Sequence, residues 1–231
     1  MTTTTITDTR RRLGAATLVL GPLALLGGAL THPKEVSDAG EQLRIAAGAT
    51  NRWYVAHLLY LVATVLLVPA VLTLGARLRA RAPRLELWGT GLTILGLFCT
   101  AALVAVEGIG GWQLAQSPDS QAAATVFDHL THSAGVVVPF AILGLTFSAG
   151  LITLAVGLAR TAQGPAWVAW TLGAGAVALA VGLGAELQPA FLAGVAGITV
   201  ALVAAGIEEL AADPAVDRLA TRPATSLVSH A

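Results

Sequence analysis

The sequence predicts an all-α, polytopic membrane protein: a six-transmembrane-helix bundle with both termini cytoplasmic. Three observations lead there. Of 231 residues, 55% are hydrophobic and 11% charged, with a mean hydropathy of +0.76, more apolar than a soluble core of this size requires. Six segments reach the roughly 20 mostly apolar residues that a spanning helix needs. The basic residues divide unevenly between the two sides those segments define.

The segments run over about 12–31, 53–75, 85–111, 133–158, 166–187 and 189–207. The first follows Arg10, Arg11 and Arg12; a cleaved signal peptide is the alternative, and the run is long for that role. Between the first and second, SDAGEQLRIAAGA reads as a short outer helix capped by Ser37. Before the fourth, SPDSQ offers Ser117 as an N-cap with Pro118 in the first turn, so an amphipathic helix is expected to run on into the span. Only LQPA separates the fifth from the sixth, giving a tight helical hairpin with Pro189 starting its second arm. Residues 1–210 form one transmembrane domain in this reading, and 211–231 a polar, disordered cytoplasmic tail.

Ten of the thirteen basic residues fall on one side: Arg10, Arg11, Arg12, Arg77, Arg79, Arg81, Arg84, Arg160, Arg218 and Arg222. That side is cytoplasmic by the positive-inside rule, and a multi-pass cell-membrane location follows. Trp53 and Trp112 are expected to anchor the outer interface, and Trp88, Trp167 and Trp170 the inner one. A net charge of zero implies no nucleic-acid partner. With Cys99 alone, neither a disulfide framework nor a thiolate metal site can form within one chain.

The polar residues gather toward the outer side. At 1.5 Å per residue, Glu107 lies about 30 Å along the third helix, near the outer boundary. His32, His57, Asp128, His129, His132 and Glu186 fall at similar depth. Helical spacing puts Trp53, His57, Tyr60 and Thr64 on one stripe. It does the same for Thr93, Gly96, Thr100 and Glu107, and for Asp128, His132, Pro139, Thr146 and Thr153. Lipid offers such groups no partner, so all three stripes are expected to line an inward cavity opening outward. Phe98, Phe127, Phe140, Phe147 and Phe191 are further candidates for that lining. The glycine-rich stretches GTGLTILG, GAGAVALAVGLGAE and AGVAG follow no strand and read as close-packing faces between helices.

Two chemistries suit this outer layer, and a non-catalytic, transporter-like protein is the further alternative. A carboxylic acid just inside hydrocarbon can stay protonated and act as a Brønsted acid, which makes Glu107 the first candidate and Glu186 the second; the bland alternative is an interfacial hydrogen bond. His32, His57, His129, His132 and Asp128 could instead ligate a metal or haem. The pair His129 and His132 is a loose signal, since residues three apart are neighbours on any helix, and each imidazole taken singly is as well explained by a packing hydrogen bond.

With LTHP before it, HLLYLVATVLLVPAVLTLGARLR resembles a group of small uncharacterised bacterial multi-pass proteins. In size, helix count and outer-half carboxylates the chain also resembles the small bacterial integral-membrane terpene cyclases of the drimentine type, which act on prenylated indole alkaloids. That resemblance implies a cofactor-independent lyase or isomerase of bacterial secondary metabolism, with an acid protonating an isoprenoid tail and ring closure through carbocations. DDxxD and DxDD, the motifs of soluble cyclases, do not occur here. On that expectation Glu107 is the acid, with Glu186, His57, Asp128 and His132 tuning or reprotonating it. Trp53, Tyr60, Thr64, Thr100, Trp112 and Phe140 would contact a lipid-like substrate. No metal or other cofactor is expected; membrane lipids are the expected surroundings, and self-association is compatible with the sequence.

Overall fold

The computed structural model describes residues 3–34, 36 and 38–211. Among them are nine α-helices and no strand: α1 Thr3–Thr31, α2 Ala39–Gly48, α3 Thr50–Ala76, α4 Pro83–Leu103, α5 Gly111–Leu114, α6 Ser120–His132, α7 Ala134–Thr161, α8 Ala166–Gly184 and α9 Gln188–Ala211. A π-helical segment, Val104–Gly110, joins α4 to α5 without interrupting the rod. Six stretches are long and apolar enough to cross a membrane: Thr9–Thr31, Thr50–Ala76, Pro83–Leu114, Ala134–Thr161, Ala166–Gly184 and Gln188–Ala211. Helices satisfy every backbone polar group internally, which is why apolar runs of this length fold this way in lipid. The expected tail lies, from residue 212 onward, outside the described residues.

The spans form a ring in chain order. Each packs on its neighbours in sequence, and α9 returns to α1. One continuous core draws on all six, with Leu18 from α1, Leu67 and Leu74 from α3, Leu97 from α4, Leu151 and Leu154 from α7, Leu172 from α8, and Ile198 and Leu202 from α9. Lipid is as apolar as these side chains, so close packing holds the ring rather than escape from water. The glycines make that packing possible. A methyl group on Gly150 would strike the backbone of Thr93, one on Gly194 the backbone of Leu179, and one on Gly182 the backbone of Phe191.

The two ends of the ring differ. At the arginine end the connections are short, and Arg77 locks α3 to α9: its Nη2 donates to the Ala205 carbonyl at 2.7 Å and to Glu209 at 3.0 Å. Arg81 reaches the Thr161 carbonyl at 3.1 Å. Trp88, Trp167 and Trp170 are exposed at this end, as interfacial anchors would be. The opposite, histidine end carries the short helices α2, α5 and α6. Leu43, Ala123 and Phe127 give α2 and α6 a small apolar core of their own, closed by Leu114 and Ala115.

Four expectations need correction. Asp38, not Ser37, caps α2, its carboxylate accepting from the Glu41 amide; residue 37 itself lies outside the described residues. Asp119, not Ser117, caps α6. The helix does not run on into the span, because Ser133 is extended at φ −70°, ψ 148° and separates α6 from α7. Nor does the third stripe face inward. Asp128 and His132 are exposed on α6, and the buried face of α7 is Phe147, Gly150, Leu151, Leu154 and Leu158. Thr146 and Thr153 each donate to the carbonyl four residues back, at 2.6 and 2.7 Å, so they need no partner across the bundle.

Candidate functional site

The first stripe, on α3, is where side chains converge. Trp53, His57 and Thr64 are buried on α3 and Tyr60 is half-buried. Thr64 donates to the Tyr60 carbonyl at 2.8 Å. His32, from the end of α1, joins the stripe: its ring centroid lies 5.0 Å from Trp53, 4.9 Å from His57 and 6.1 Å from Tyr60. Trp53 and His57 are themselves 4.8 Å apart, and His57 meets Tyr60 edge-on at 6.1 Å. Gly28 permits this junction of α1 with α3, since a Cβ there would collide with the Tyr60 ring.

Trp53 was expected to mark the water boundary. It is instead only 3% exposed, and its indole N–H donates to the Gly108 carbonyl at 3.0 Å. Trp112 is half-exposed and stacks at 5.2 Å on Tyr54.

Backbone carbonyls orient both imidazoles. His57 Nδ1 lies 2.8 Å from the Trp53 carbonyl, and His32 Nδ1 lies 2.7 Å from the Pro33 carbonyl. A carbonyl oxygen only accepts, so Nδ1 is the protonated nitrogen in each ring, and Nε2 is the basic one when the ring is neutral. Desolvation holds the His32 imidazole below the ordinary histidine range; the Pro33 hydrogen bond opposes that shift and the Arg52 charge adds to it.

The π-helical segment faces this cluster from the third span. Gly108 is buried directly against the His57 ring, leaving no room for a side chain. Gly111 packs closely on Phe127 and Trp53, where a Cβ would come within 3.1 and 3.3 Å of their rings. Glu107 immediately precedes Gly108, half-buried, in a segment wound with five-residue hydrogen bonds. Thr100, one π-segment away on α4, donates to the Gly96 carbonyl at 3.0 Å. Single-turn π segments inside α-helices occur frequently at functional sites.

The remaining candidates lie elsewhere. Asp128 and His132 pair with each other on the exposed face of α6, Nδ1 to Oδ1 at 3.1 Å. Glu186 is exposed in the α8–α9 turn, where its φ of 52° and the bond from the Leu187 amide to the Gly182 carbonyl make it the left-handed terminator of α8. Phe140 is 41% exposed and Phe98 66%, both on outward faces. Among the described residues, no three His, Cys, Asp or Glu side chains gather as a metal site. The edge-on contact of His32 with His57 leaves no space for a macrocycle between them.

Sequence reasoning put Trp53, His57, Tyr60 and Thr64 on one stripe and set His32 and Glu107 at similar depth, but did not reveal the packing of His32 on Trp53 or the π winding. The only written hint of the winding is the glycine group 108, 110 and 111 around it. No family model, curated protein or solved structure matches this chain.

Proposed function

We propose that this protein is an integral-membrane enzyme that acts on an isoprenoid or other lipid-like substrate by acid–base chemistry, most sharply a proton-initiated terpene cyclase. The observation that carries the reading is the π-helical segment around Glu107, backed by buried Trp53 and His57. Glu107 is the acid. Its carboxyl proton passes to a terminal alkene carbon or an epoxide oxygen of the substrate. The resulting carbocation is captured by a second double bond, forming a C–C bond. A neighbouring carbon then returns a proton to the Glu107 carboxylate, directly or by way of His57 Nε2, so the reaction is a redox-neutral isomerisation that regenerates the acid with no net consumption of protons. Tyr60 and Trp112 offer aromatic faces to the cation, and Thr64 and Thr100 are further contacts. The apolar surroundings protect the cation from water. By the distribution of arginines, the histidine end faces outward, and both termini are cytoplasmic in the cell membrane.

The test is incubation of protein-containing membranes with prenylated indoles and with polyprenyl alkenes and epoxides. The expected product has the substrate's mass and a new retention time, and Glu107→Gln abolishes it while the protein still folds. Full activity in Glu107→Gln would remove Glu107 from the chemistry. A Soret band in the purified protein would replace the cofactor-free reading with a haem protein, and absence of any isomeric product across the panel would reject the cyclase.

A further inference from the structure

The π winding of residues 104–110 has to be held by something outside the helix. Each change of one residue in helical register turns a side chain by about 100° around the axis, so a segment relaxing to α-helix would point residue 107 elsewhere. The π form is intrinsically rare, and its own capping is shared: the Gly111 amide reaches both the Glu107 and Gly108 carbonyls. A bond from another helix enters the segment: the Trp53 indole N–H donates to the Gly108 carbonyl at 3.0 Å.

Trp53 is itself rigidly placed. It is buried, it lies against His32 and His57 at 5.0 and 4.8 Å, and its backbone carbonyl accepts from His57 Nδ1. Its ring edge rests where Gly111 lacks a side chain. The indole therefore connects α1 and α3 to the π segment at the residue following Glu107.

We propose that Trp53 is a positioning residue for Glu107: its indole N–H, on the Gly108 carbonyl, holds the π-helical register of 104–110 and so fixes the direction of the Glu107 side chain. The consequence for turnover rests on Glu107 being the acid, whereas the register does not. Phenylalanine at position 53 fills much of the same space but donates nothing, and leaves a buried carbonyl short of a partner.

The test reads Glu107 directly. The infrared carboxyl band of Glu107, obtained as the wild-type minus Glu107→Gln difference in lipid, is compared with the same difference in a Trp53→Phe background. The expected result is a displaced band with the protein still folded, and no displacement in a Trp170→Phe background, since Trp170 is exposed at the far end of the ring. If Trp53→Phe does not fold, the isosteric benzothienylalanine, which lacks only the N–H, replaces Trp53 in the measurement. An unmoved band in the folded variant overturns the proposal. Because the band is read without substrate, a wild-type protein that converts no prenyl compound leaves this result standing or falling by itself. Where turnover is found, Trp53→Phe lowers kcat roughly tenfold with little change in KM, the pattern of a displaced reacting group.

Discussion

Two glycines of the same π segment should respond in opposite ways to the same substitution. In Gly108→Ala the new Cβ would lie 2.5 Å from His57 Cγ and Cδ2 and 2.7 Å from its Cβ, far inside ordinary contact. The ring cannot swing aside without losing its 2.8 Å bond to the Trp53 carbonyl. In Gly110→Ala nothing lies within 4 Å of the new methyl group. Both substitutions gain the same alanine helix propensity, about 0.5–1 kcal/mol, so that gain cancels in the comparison. What remains is the overpacking at position 108, about 1–3 kcal/mol, or roughly a 5- to 160-fold difference in the folded-to-unfolded ratio. Reversible unfolding of the two variants in mixed micelles, side by side with the parent, measures it. Equal stability of Gly108→Ala and Gly110→Ala would refute the close approach of the π segment to His57, and with it the site as described.

Other perturbations test separate parts of the structure. Glu186→Gly relieves a left-handed residue and should raise stability by about 1 kcal/mol; since Glu186 is exposed in a turn, turnover should persist, and loss of turnover in the folded variant would return Glu186 to the chemistry. Arg77→Ala removes charge-assisted bonds to Ala205 and Glu209 from a largely buried side chain, so thermal unfolding should show a loss of about 1.5–3 kcal/mol. Breaking the exposed Arg44 and Glu41 pair should change the same measurement very little. Desolvation holds His32 below its ordinary value of 6.5, so protonation favours the unfolded chain. Stability falls as the pH drops below that value; Tm against pH should show the decline, His32→Gln should make it shallower, and an unchanged decline in that variant would refute the assigned burial of His32.

Much of the fold was legible because lipid leaves the backbone few choices. The six spans fall where apolar runs of sufficient length place them, within a few residues at each end. The close-packing role of the glycines was legible in part: Gly89, Gly96, Gly175, Gly182 and Gly194 meet another helix closely, whereas nothing lies within 4 Å of a Cβ at Gly91 or Gly184. The caps were misread because serine precedes aspartate in both SDAG and SPDS, and the carboxylate one or two residues later makes the bond. The stripe on α7 was misread for a different reason. A threonine in a membrane helix satisfies its hydroxyl on its own backbone, so Thr146 and Thr153 carry no information about which face is buried.

The site itself divides along the same line between what counting residues supplies and what only packing supplies. Counting along a span gives depth, and it correctly set Glu107, His57, Asp128, His132 and Glu186 toward one end of the bundle. Depth does not give direction around the bundle axis. Asp128 and His132 share a level with His57 but lie on the exposed side of α6, whereas His32, reached by no periodicity on α3, lies against Trp53 because Gly28 lets α1 approach α3 closely. The winding at 104–110 shifts direction once more, by an amount that an α-helical projection cannot register. A cluster built from the end of one helix, one stripe of the next and a π segment of the third therefore takes its depth from the sequence and its membership from the glycines at 28, 108 and 111, where the chains come close enough for side chains of different helices to meet.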